Sequence, residues 1–435
     1  MESIELKYGE SKVSINVDGA AGVEFLTENE MPEITDLKSA LLKAVNEDVI
    51  DSPPLKELIS ADDKVTIIIS DVTRFWMRQD QVLKVLVEYM HDELSVPYDN
   101  MVVLVALGTH RPSDEEELCK LASKEVYDKV KVVNHDCDAA DLVNIGTTSR
   151  GTEVWVNPLA VGRKTIIIGG TVHHIMAGYG GGRKSVIPGI SGRQTIRQNH
   201  TRALDPEAPK TDARVGSGKI TLNPINEDMD EGAAMLAPTF GINIVVNTSS
   251  KHSGLFCGDF HNAWLKSCEF CQKGYGKPID YEADIVIASC GGFPKDINLY
   301  QATKTIFNAT RAVKKGGTVI FLAECREGGG AKDFFSWMEP LKRGTLDEEL
   351  RKAFTIGGYI FYAACEAIRK CDLKMLSQID KDVVKDMNID AYTDIDELLK
   401  GVDFNGKSVY VIPYGGSVMP QLKDEYNTIN NEFNK

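Results

Sequence analysis

Short apolar runs, several of them hydrophobic at consecutive positions, recur along the whole chain. Strict alternation would indicate strands with one face in water, whereas unbroken runs of Val, Ile and Leu are typical of parallel strands covered on both faces. Seven runs predict strands of this buried kind: Lys64–Ser70, Met101–Leu107, Lys164–Gly170, Ile242–Asn247, Ala283–Ser289, Gly317–Ala323 and Ser408–Pro413.

Between these runs the apolar residues recur every three or four positions, which predicts helices. The clearest segments are Gln79–Leu94, Asp114–Val130 and Asn298–Gly316. The second has acids in its first turn, and the third ends in two lysines and a glycine, as helix termini favour. Strands that alternate with helices predict an α/β fold with largely parallel sheets, covered on both faces.

The length of 435 residues is comfortable for two domains. A Gly-containing stretch at 272–282 precedes a new buried strand, so we predict a linker there, between an N-terminal α/β domain over 1–272 and a C-terminal α/β domain over 281–405. The segment from about 408 to 435 is compatible with either domain, including packing back on the first. Residues 202–219, rich in Pro and Gly, predict a long surface loop.

Composition narrows the class of protein. The chain is 43% hydrophobic and 26% charged, as globular proteins are, and its net charge of −15 argues against binding to nucleic acid or anionic membranes. We expect no signal peptide and no membrane span, and nine scattered cysteines favour a cytoplasmic location. Cys268 and Cys271 form a CxxC without further zinc ligands, so we interpret them as two partly buried thiols on one helix.

Polar, glycine-rich segments follow most predicted strands, where open α/β sheets bind ligands. Histidine, arginine and lysine beside glycine at these positions predict a cationic crevice for a small anion. The segments contribute Asp71 and Arg74; His110 and Arg111; His173, His174, Arg183 and Lys184; and Lys295, Asp296, Gln301 and Lys304.

The segment HHIMAGYGGGRKSVIPG, residues 173–189, is similar to a phosphate-binding P-loop but lacks its defining pair. A Walker A motif needs glycine directly before lysine, and here Arg183 separates Gly182 from Lys184. Glycines still allow backbone N–H groups to approach a phosphate closely.

Three of the eight histidines, His173, His174 and His200, lie close together in sequence. Two imidazoles that approach one carbon from opposite sides would allow proton exchange on both mirror-image substrates. Arginine binds a carboxylate with two hydrogen bonds, and Gln301 and Lys304 should share a helix face. We interpret the remaining histidines as structural, apart from His110: His91, His135, His252 and His261.

Five segments together resemble the nickel-dependent lactate racemase family, in the same order and from about residue 5 to about residue 420: DVTR, GTHRP, HHIMAGYGGGRKSVIPGI, RQNH and GGFPKDINLYQATK. The resemblance implies two α/β domains with the active site in the cleft between them. It also implies a racemase or epimerase of 2-hydroxy acids, with lactate as the default substrate.

The same resemblance implies a cofactor, the nickel-pincer nucleotide (a Ni(II) pyridinium-3,5-bisthiocarboxylic acid mononucleotide), made by separate biosynthesis enzymes that would be partners of this chain. Lys184 would bind it covalently and His200 would ligate the nickel. Hydride would move reversibly from the substrate α carbon to the cofactor through a 2-keto acid. The other residue assignments are His110 and His174 as acid/base, Arg74, Gln301 and Lys304 for the substrate, and Asp71, Gly178, Gly180, Gly181 and Gly182 for the ribose and phosphate.

One departure concerns the substrate, because bulky Phe75 and Trp76 follow Arg74. Either these rings pack in the core, as large aromatics usually do, or they line the pocket. In the second case the far end of the substrate differs from a methyl group, and Arg78 or Lys295 would meet a second carboxylate or hydroxyls.

Two other functions stay open from the sequence. One is a transferase that uses the glycine loop to bind phosphate or a nucleotide. The other is a non-catalytic protein that binds nickel or a nucleotide, as a sensor or carrier, and does not exchange the α hydrogen of any 2-hydroxy acid.

Overall fold

The computed structural model describes residues 3–330 and 333–433. Contacts divide the chain into two compact units. The N-terminal unit contains Glu30–Ala203, Ala213–Gly274 and the chain from Glu432, and the C-terminal unit contains the chain up to Asn29, Leu204–Asp212 and Tyr275–Asn431. The chain starts in the C-terminal unit with the antiparallel pair β1 (Ser3–Tyr8) and β2 (Ser11–Asn16), followed by β3 (Gly22–Phe25).

The N-terminal unit is built on a six-stranded sheet. The unit contains the strands β4 (Val65–Ser70), β5 (Met101–Ala106), β6 (Lys131–Asn134), β7 (Val143–Thr147), β8 (Glu153–Val156), β9 (Lys164–Gly170), β10 (His173–His174), β11 (Gly178–Tyr179), β12 (Phe240–Val246) and β13 (His252–Gly258), which include the two-stranded sheets β7–β8 and β10–β11. Its helices are α1 (Leu37–Asn46), α2 (Leu55–Leu58), α3 (Gln79–Asp92), α4 (Glu115–Ala122), α5 (Lys124–Tyr127), α6 (Arg193–His200), α7 (Pro224–Leu236) and α8 (Asn262–Tyr275).

The strand order of the large N-terminal sheet is β13-β12-β9-β4-β5-β6. All neighbours are parallel except β12 and β13. The first strand of this sheet in the chain, β4, therefore lies between the second and the fourth, which is the doubly wound order with a switch point between β4 and β9. Apolar side chains on β4, β5, β9 and β12 are buried in the core of this unit, as their unbroken apolar runs predict.

The C-terminal unit continues with further strands and helices. The strands are β14 (Gly276–Ile279), β15 (Ala283–Ser289), β16 (Val313–Leu322), β17 (Asp372–Leu376), β18 (Ile389–Tyr392), β19 (Ser408–Ile412) and β20 (Met419–Leu422). The helices are α9 (Leu299–Ala312), α10 (Met338–Arg343), α11 (Leu346–Lys352), α12 (Ile356–Ile368), α13 (Lys381–Val384), α14 (Ile395–Leu399) and α15 (Lys423–Glu432). Six parallel strands form its sheet, in the order β18-β17-β16-β15-β19-β3.

The predicted α/β class with largely parallel sheets is confirmed, and every one of the seven predicted strands is present. Two predicted helices differ from the structure. The segment 114–130 forms two helices because Ser123 adopts φ +68°, which ends α4 before α5 begins. The helix predicted to end at Gly316 ends at Ala312, and the two lysines after it belong to β16, which pairs with β15.

The segment 272–282 contains regular structure, since α8 runs through Tyr275 and β14 pairs in parallel with β20, and the division between the two units falls inside it, between Gly274 and Tyr275. A distant partner strand decides that β14 forms, and the local Gly-containing composition does not reveal it. The chain up to Asn29 belongs to the C-terminal unit, unlike the predicted boundaries, because β3 pairs with β19. The segment Leu204–Asp212 also groups with that unit.

All nine cysteines are free thiols. Cys268 and Cys271 lie on α8 and are fully buried, so the prediction of partial burial was wrong. No helix within the described part of the chain combines the length and the apolar character needed to cross a bilayer.

Candidate active site

Three loops of the N-terminal unit begin at the carboxyl ends of neighbouring parallel strands. Asp71 and Arg74 follow β4, His110 follows β5, and His174 follows β9. Because these strands are adjacent and parallel, their ends meet at one edge of the sheet, and β4 and β9 flank the switch point where such sheets bind ligands. The topology therefore brings these sequence-predicted side chains to one edge.

A buried carboxylate orients His110. Asp71 caps the 3-10 turn Val72–Met77: its Oδ1 accepts hydrogen bonds from Thr73 N at 3.1 Å and Thr73 Oγ1 at 2.6 Å, and its Oδ2 bonds to His110 Nδ1. Burial raises the pKa of Asp71, but the hydrogen bond and charge of His110, with the charge of Arg74, outweigh it and lower the pKa. The carboxylate accepts, so Nδ1 of His110 carries the hydrogen and Nε2 keeps a lone pair that can accept a proton.

The Asp71 side chain is therefore bound to protein groups, and it acts on the site by orienting His110. Its predicted contact with a cofactor ribose stays a prediction.

His174 has the opposite arrangement. It lies on the β10–β11 hairpin, and its Nδ1 accepts hydrogen bonds from the N–H groups of Met176 and Ala177, both at 3.2 Å. Its Nε2 lies 3.4 Å from Lys184 Nζ. Burial, and then the charges of Lys184 and Arg74, place the pKa of His174 well below its ordinary value. His174 is thus a neutral ring that presents Nε2.

The second strand of this hairpin and the turn after it contain four glycines: Gly178, Gly180, Gly181 and Gly182. Two of them are required by neighbouring protein atoms. A Cβ at Gly178 (φ +73°) would lie 2.2 Å from the carbonyl oxygen of Lys219, and a Cβ at Gly182 (φ +51°) would lie 2.6 Å from the indole of Trp264. Close packing of the protein therefore accounts for these glycines, and their predicted contact with ribose and phosphate stays a prediction.

Lys184 lies in a four-residue 3-10 turn, Gly182–Ser185, and the next α-helix begins only at Arg193. A P-loop places its lysine at the start of an α-helix, whose N-terminus binds the phosphates. The local structure therefore agrees with the missing Gly-Lys pair and disfavours a phosphate-dependent transferase.

Arg183 does not line a crevice, although its charge and position predicted this. Its side chain is fully buried, with the guanidinium carbon 3.6 Å from the ring centroid of Trp264 and Nη2 donating to Ala177 O at 2.7 Å. Burial, the charge of Arg183 and the charge of Arg74 together lower the pKa of Lys184 to about 7. Sequence reasoning missed this effect of Arg183 on the pKa of Lys184, since only the fold reveals that the arginine is buried near the lysine.

His200 has the features of a metal ligand. It is the last residue of α6, is 2% exposed, and its Nδ1 lies 3.0 Å from the carbonyl oxygen of Ile196. A carbonyl can only accept, so Nδ1 carries the hydrogen and Nε2 keeps its lone pair, the arrangement typical of histidines that bind metals. Burial, and then the charge of Lys184, lower the pKa of His200 to about 3, which keeps the ring neutral.

The remaining histidines have structural partners, as the sequence analysis interpreted them. His173, which the sequence placed in the cationic crevice, also packs within the protein, with Nε2 2.9 Å from Gln272 Oε1 and its ring on Tyr179. The others contact Val96 O (His91), Ser191 O (His135), Met77 O (His252) and Asp230 Oδ1 (His261).

Gln301 and Lys304 lie in the C-terminal unit, in the first turns of α9, and Lys304 Nζ donates to Gln301 Oε1 at 2.8 Å. The expected shared helix face is therefore present. The loop that leads to α9 follows β15. This strand lies between β16 and β19, where the strand order of the second sheet reverses, which is the switch point of that sheet.

The large residues after Arg74 pack against the core. Phe75 and Trp76 are partly buried against the apolar cluster of the N-terminal unit, and a Cβ at Gly170 would lie 3.0 Å from the Trp76 ring. Arg78 donates two hydrogen bonds to Asp80, at 3.0 and 2.9 Å, so it is already paired with a carboxylate. This geometry favours packing for the two rings and does not leave Arg78 for a second substrate carboxylate.

The chain is similar over nearly its whole length to known proteins. Models of the lactate racemase N-terminal and C-terminal domains match residues 8–211 and 279–420. A lactate racemase from Thermoanaerobacterium thermosaccharolyticum is 29% identical, covering 97% of this chain and 100% of that protein. A lactate racemase from Lactiplantibacillus plantarum is 34% identical over 66% of each chain.

Solved structures give the same result. The lactate racemase apoprotein from Thermoanaerobacterium thermosaccharolyticum superimposes with a TM-score of 0.84 at 27% identity, over 97% of this chain and 100% of that one. A protein from Thermotoga maritima shares the fold, with a TM-score of 0.62 at 18% identity, over 89% and 97% of the two chains.

Proposed function

The chain belongs to the lactate racemase family and is a racemase, an enzyme of the isomerase class, and on that premise we propose that it interconverts the two enantiomers of a 2-hydroxy acid, with lactate as the default substrate. The observation that carries the proposal is the pair of oppositely arranged imidazoles at one sheet edge. His110 offers an Nε2 lone pair, and His174 is a neutral ring that presents Nε2.

The residues of the N-terminal unit fit a lysine-bound nickel-pincer nucleotide as the cofactor. Lys184 supplies an amine with a lowered pKa, and His200 supplies a neutral, oriented Nε2 of the kind that Ni(II) accepts. When bound, this group would take a hydride from the substrate α carbon and return it to either face. We also propose the enzymes that make this group as partners of the chain.

The side chains of this chain bind, orient and exchange the proton. His110 Nε2 takes the proton of the substrate hydroxyl, because Asp71 fixes the hydrogen on Nδ1 and stabilises the imidazolium. His174 hydrogen-bonds the oxygen of the 2-keto acid with Nε2–H as a neutral imidazole donor, and protonated His110 returns its proton to that oxygen when the 2-hydroxy acid forms again.

Arg74 is proposed to hold the substrate carboxylate, with Gln301 and Lys304 as the further carboxylate-binding pair. Its guanidinium donates two hydrogen bonds from Nη1 to Thr73, at 3.0 Å to Oγ1 and 3.4 Å to the carbonyl oxygen. These are neutral neighbours, so a carboxylate can form charge-assisted bonds with the rest of the fork.

The test is a polarimetric screen of protein produced together with the cofactor-building enzymes, against a panel of chiral 2-hydroxy acids. We expect loss of optical rotation with at least one acid and a Lys184 peptide of increased mass. Lys266→Ala, at an exposed position on α8, is the control for Lys184→Ala. Racemisation by Lys184→Ala, or an unmodified Lys184 peptide in active protein, would contradict the tether. Nickel binding without exchange of the α hydrogen in any acid would favour a non-catalytic carrier.

A further inference from the structure

The hydrogen-bond pattern of His174 determines which of its nitrogens carries the hydrogen. Two backbone N–H groups, of Met176 and Ala177, point at Nδ1 from 3.2 Å. A ring nitrogen that accepts hydrogen bonds cannot itself carry a hydrogen, so the hydrogen of the neutral ring is on Nε2. A doubly protonated ring would direct an Nδ1–H at two other N–H groups.

The same pattern fixes the state of the neighbouring amine. His174 Nε2 lies 3.4 Å from Lys184 Nζ, so the Nε2–H is the donor of this contact. An ammonium group has three donors and no lone pair, and it cannot accept that hydrogen bond. Lys184 therefore meets His174 as a neutral amine with its lone pair directed at the ring.

The charged groups around Lys184 also favour the neutral form of its amine. The charges of Arg183 and Arg74 act on Lys184, and the charge of Lys184 acts in turn on the neighbouring rings of His174 and His200. Among residues 3–330 and 333–433, no carboxylate forms an ion pair with Lys184. Burial and the two arginines lower the pKa of Lys184 to about 7, so a large fraction of the amine is neutral at neutral pH.

We propose that the chain without its cofactor captures 2-oxo acids as an imine on Lys184. The amine nitrogen attacks the carbonyl carbon, a C–N bond forms, and the two amine hydrogens leave with the carbonyl oxygen as one water. No oxidant or reductant takes part. His174 Nε2–H can hydrogen-bond the departing oxygen, and Arg74 selects a carboxylate beside the carbonyl, which rests on the role proposed for it above.

Such an imine has a consequence for cofactor attachment. The nitrogen that it occupies is the one through which the cofactor is proposed to be bound. Because imine formation is reversible, a high concentration of 2-oxo acid should slow loading without abolishing it.

The experiment uses the full chain, purified without cofactor, with pyruvate and sodium borohydride, which reduces an imine to a stable amine. Peptide mass spectrometry should find the reduced pyruvate adduct on Lys184 ahead of all other lysines. Its yield should rise with pH through a midpoint near 7, as the amine loses its proton, and exposed Lys266 in the same digest measures the background reaction of a surface lysine. Lys184→Arg should remove the adduct.

Variants of His174 separate the role of the donor from that of a merely nearby ring. His174→Gln keeps a non-titrating N–H donor and should keep the low midpoint, whereas His174→Glu places a carboxylate beside the amine and should move the midpoint upward by about one pH unit or more. Thermal melting of each variant checks its folding. An unmodified Lys184, or an adduct yield on Lys184 no higher than that on Lys266 in the wild-type chain, would overturn the proposal.

Two further measurements distinguish this inference from the proposed function. Acetone, which has the carbonyl but not the carboxylate, should react with Lys184 more slowly than pyruvate does. Arg74→Gln should reduce this difference in rate. Equal rates for acetone and pyruvate in the wild-type chain would overturn the selection of 2-oxo acids. Racemisation by the loaded enzyme is measured separately. Racemisation without capture contradicts only this inference, and capture by the unloaded chain without racemisation by the loaded enzyme contradicts only the function.

Discussion

The loop around His110 and the hairpin around His174 differ in what surrounds the imidazole, although both rings follow strands of one sheet. His110 is 44% exposed in its side chain and bonds to the carboxylate of Asp71. His174 has two backbone N–H groups on one nitrogen and the amine of Lys184 at the other. In the first environment a carboxylate orients the ring, and in the second burial and the neighbouring cations lower the pKa of the ring. Two residues of one type at one sheet edge can therefore serve complementary steps of a reaction.

Removing the amine beside His174 should have the largest effect. We expect Lys184→Arg, in protein made with the cofactor-building enzymes, to lose racemisation to the background level, because the group that carries the hydride chemistry is then not attached. Polarimetry measures the loss of racemisation, and the mass of the intact protein measures the loss of the attached cofactor. Retained activity at normal mass would mean that the His174 region does not hold the cofactor.

The next largest effect should come from the His110 side. His110→Ala removes the proposed base, and we expect kcat to fall by about 10²–10⁴-fold. Steady-state polarimetry of the loaded enzyme measures it, with His91→Ala as the control, because His91 bonds a backbone carbonyl away from this site. A fall in kcat equal to that of His91→Ala would show that His110 takes no part in the reaction.

Asp71→Asn should have a smaller effect on the same side. The amide no longer fixes the hydrogen on Nδ1 of His110, so we expect kcat to fall by about 10²-fold with little change in the amount of bound cofactor. Nickel content and kcat, measured on one preparation, separate orientation of the base from cofactor binding. If nickel is lost in proportion to kcat, Asp71 contacts the cofactor, as the sequence analysis predicted.

A modest effect is expected for the arginine that influences both regions. Arg74→Lys replaces a two-bond fork by a single point charge, and we expect KM to rise about tenfold because a charge-assisted hydrogen bond contributes about 1.5 kcal/mol. The dependence of rate on substrate concentration shows this, with kcat as the internal reference. A change confined to kcat would argue against binding of the carboxylate.

The smallest expected effect concerns the support of the His174 side. Trp264→Phe removes the hydrogen bond from Nε1 to Gly180 O at 2.8 Å and weakens the contact with Arg183. We expect the free energy of unfolding to fall by about 1–3 kcal/mol. Chemical denaturation measures this, and an unchanged midpoint would show that the glycine turn does not depend on the indole.

The sequence predicted the fold better than the local contacts of the site. Unbroken apolar runs identified seven strands of the two six-stranded sheets, because a parallel strand that is buried on both faces needs apolar residues at consecutive positions. The single helix predicted over 114–130 was wrong, because Ser123 adopts a positive φ, and the strand β14 within 272–282 was missed, because it pairs with a strand far along the chain. Neither cause is visible in a local window.

Within the site, the motifs identified which residues to consider but not what each one contacts. Arg183 and Lys184 are neighbours in the sequence with similar charge, yet the first is stacked on Trp264 in the core and the second meets His174. The spacing of Gln301 and Lys304 did predict their contact, because both lie on one helix. Contacts within one helix follow from spacing, and contacts between elements do not.

The sequence by itself determined the α/β class, the positions of seven strands in the two six-stranded sheets, and the set of histidines, lysines and arginines that follow them. Only the tertiary structure decided which nitrogen of each imidazole carries a hydrogen and which cation is buried. The physical reason is that hydrophobicity belongs to each residue, whereas a hydrogen bond or the burial of a charge depends on atoms that folding brings from elsewhere in the chain.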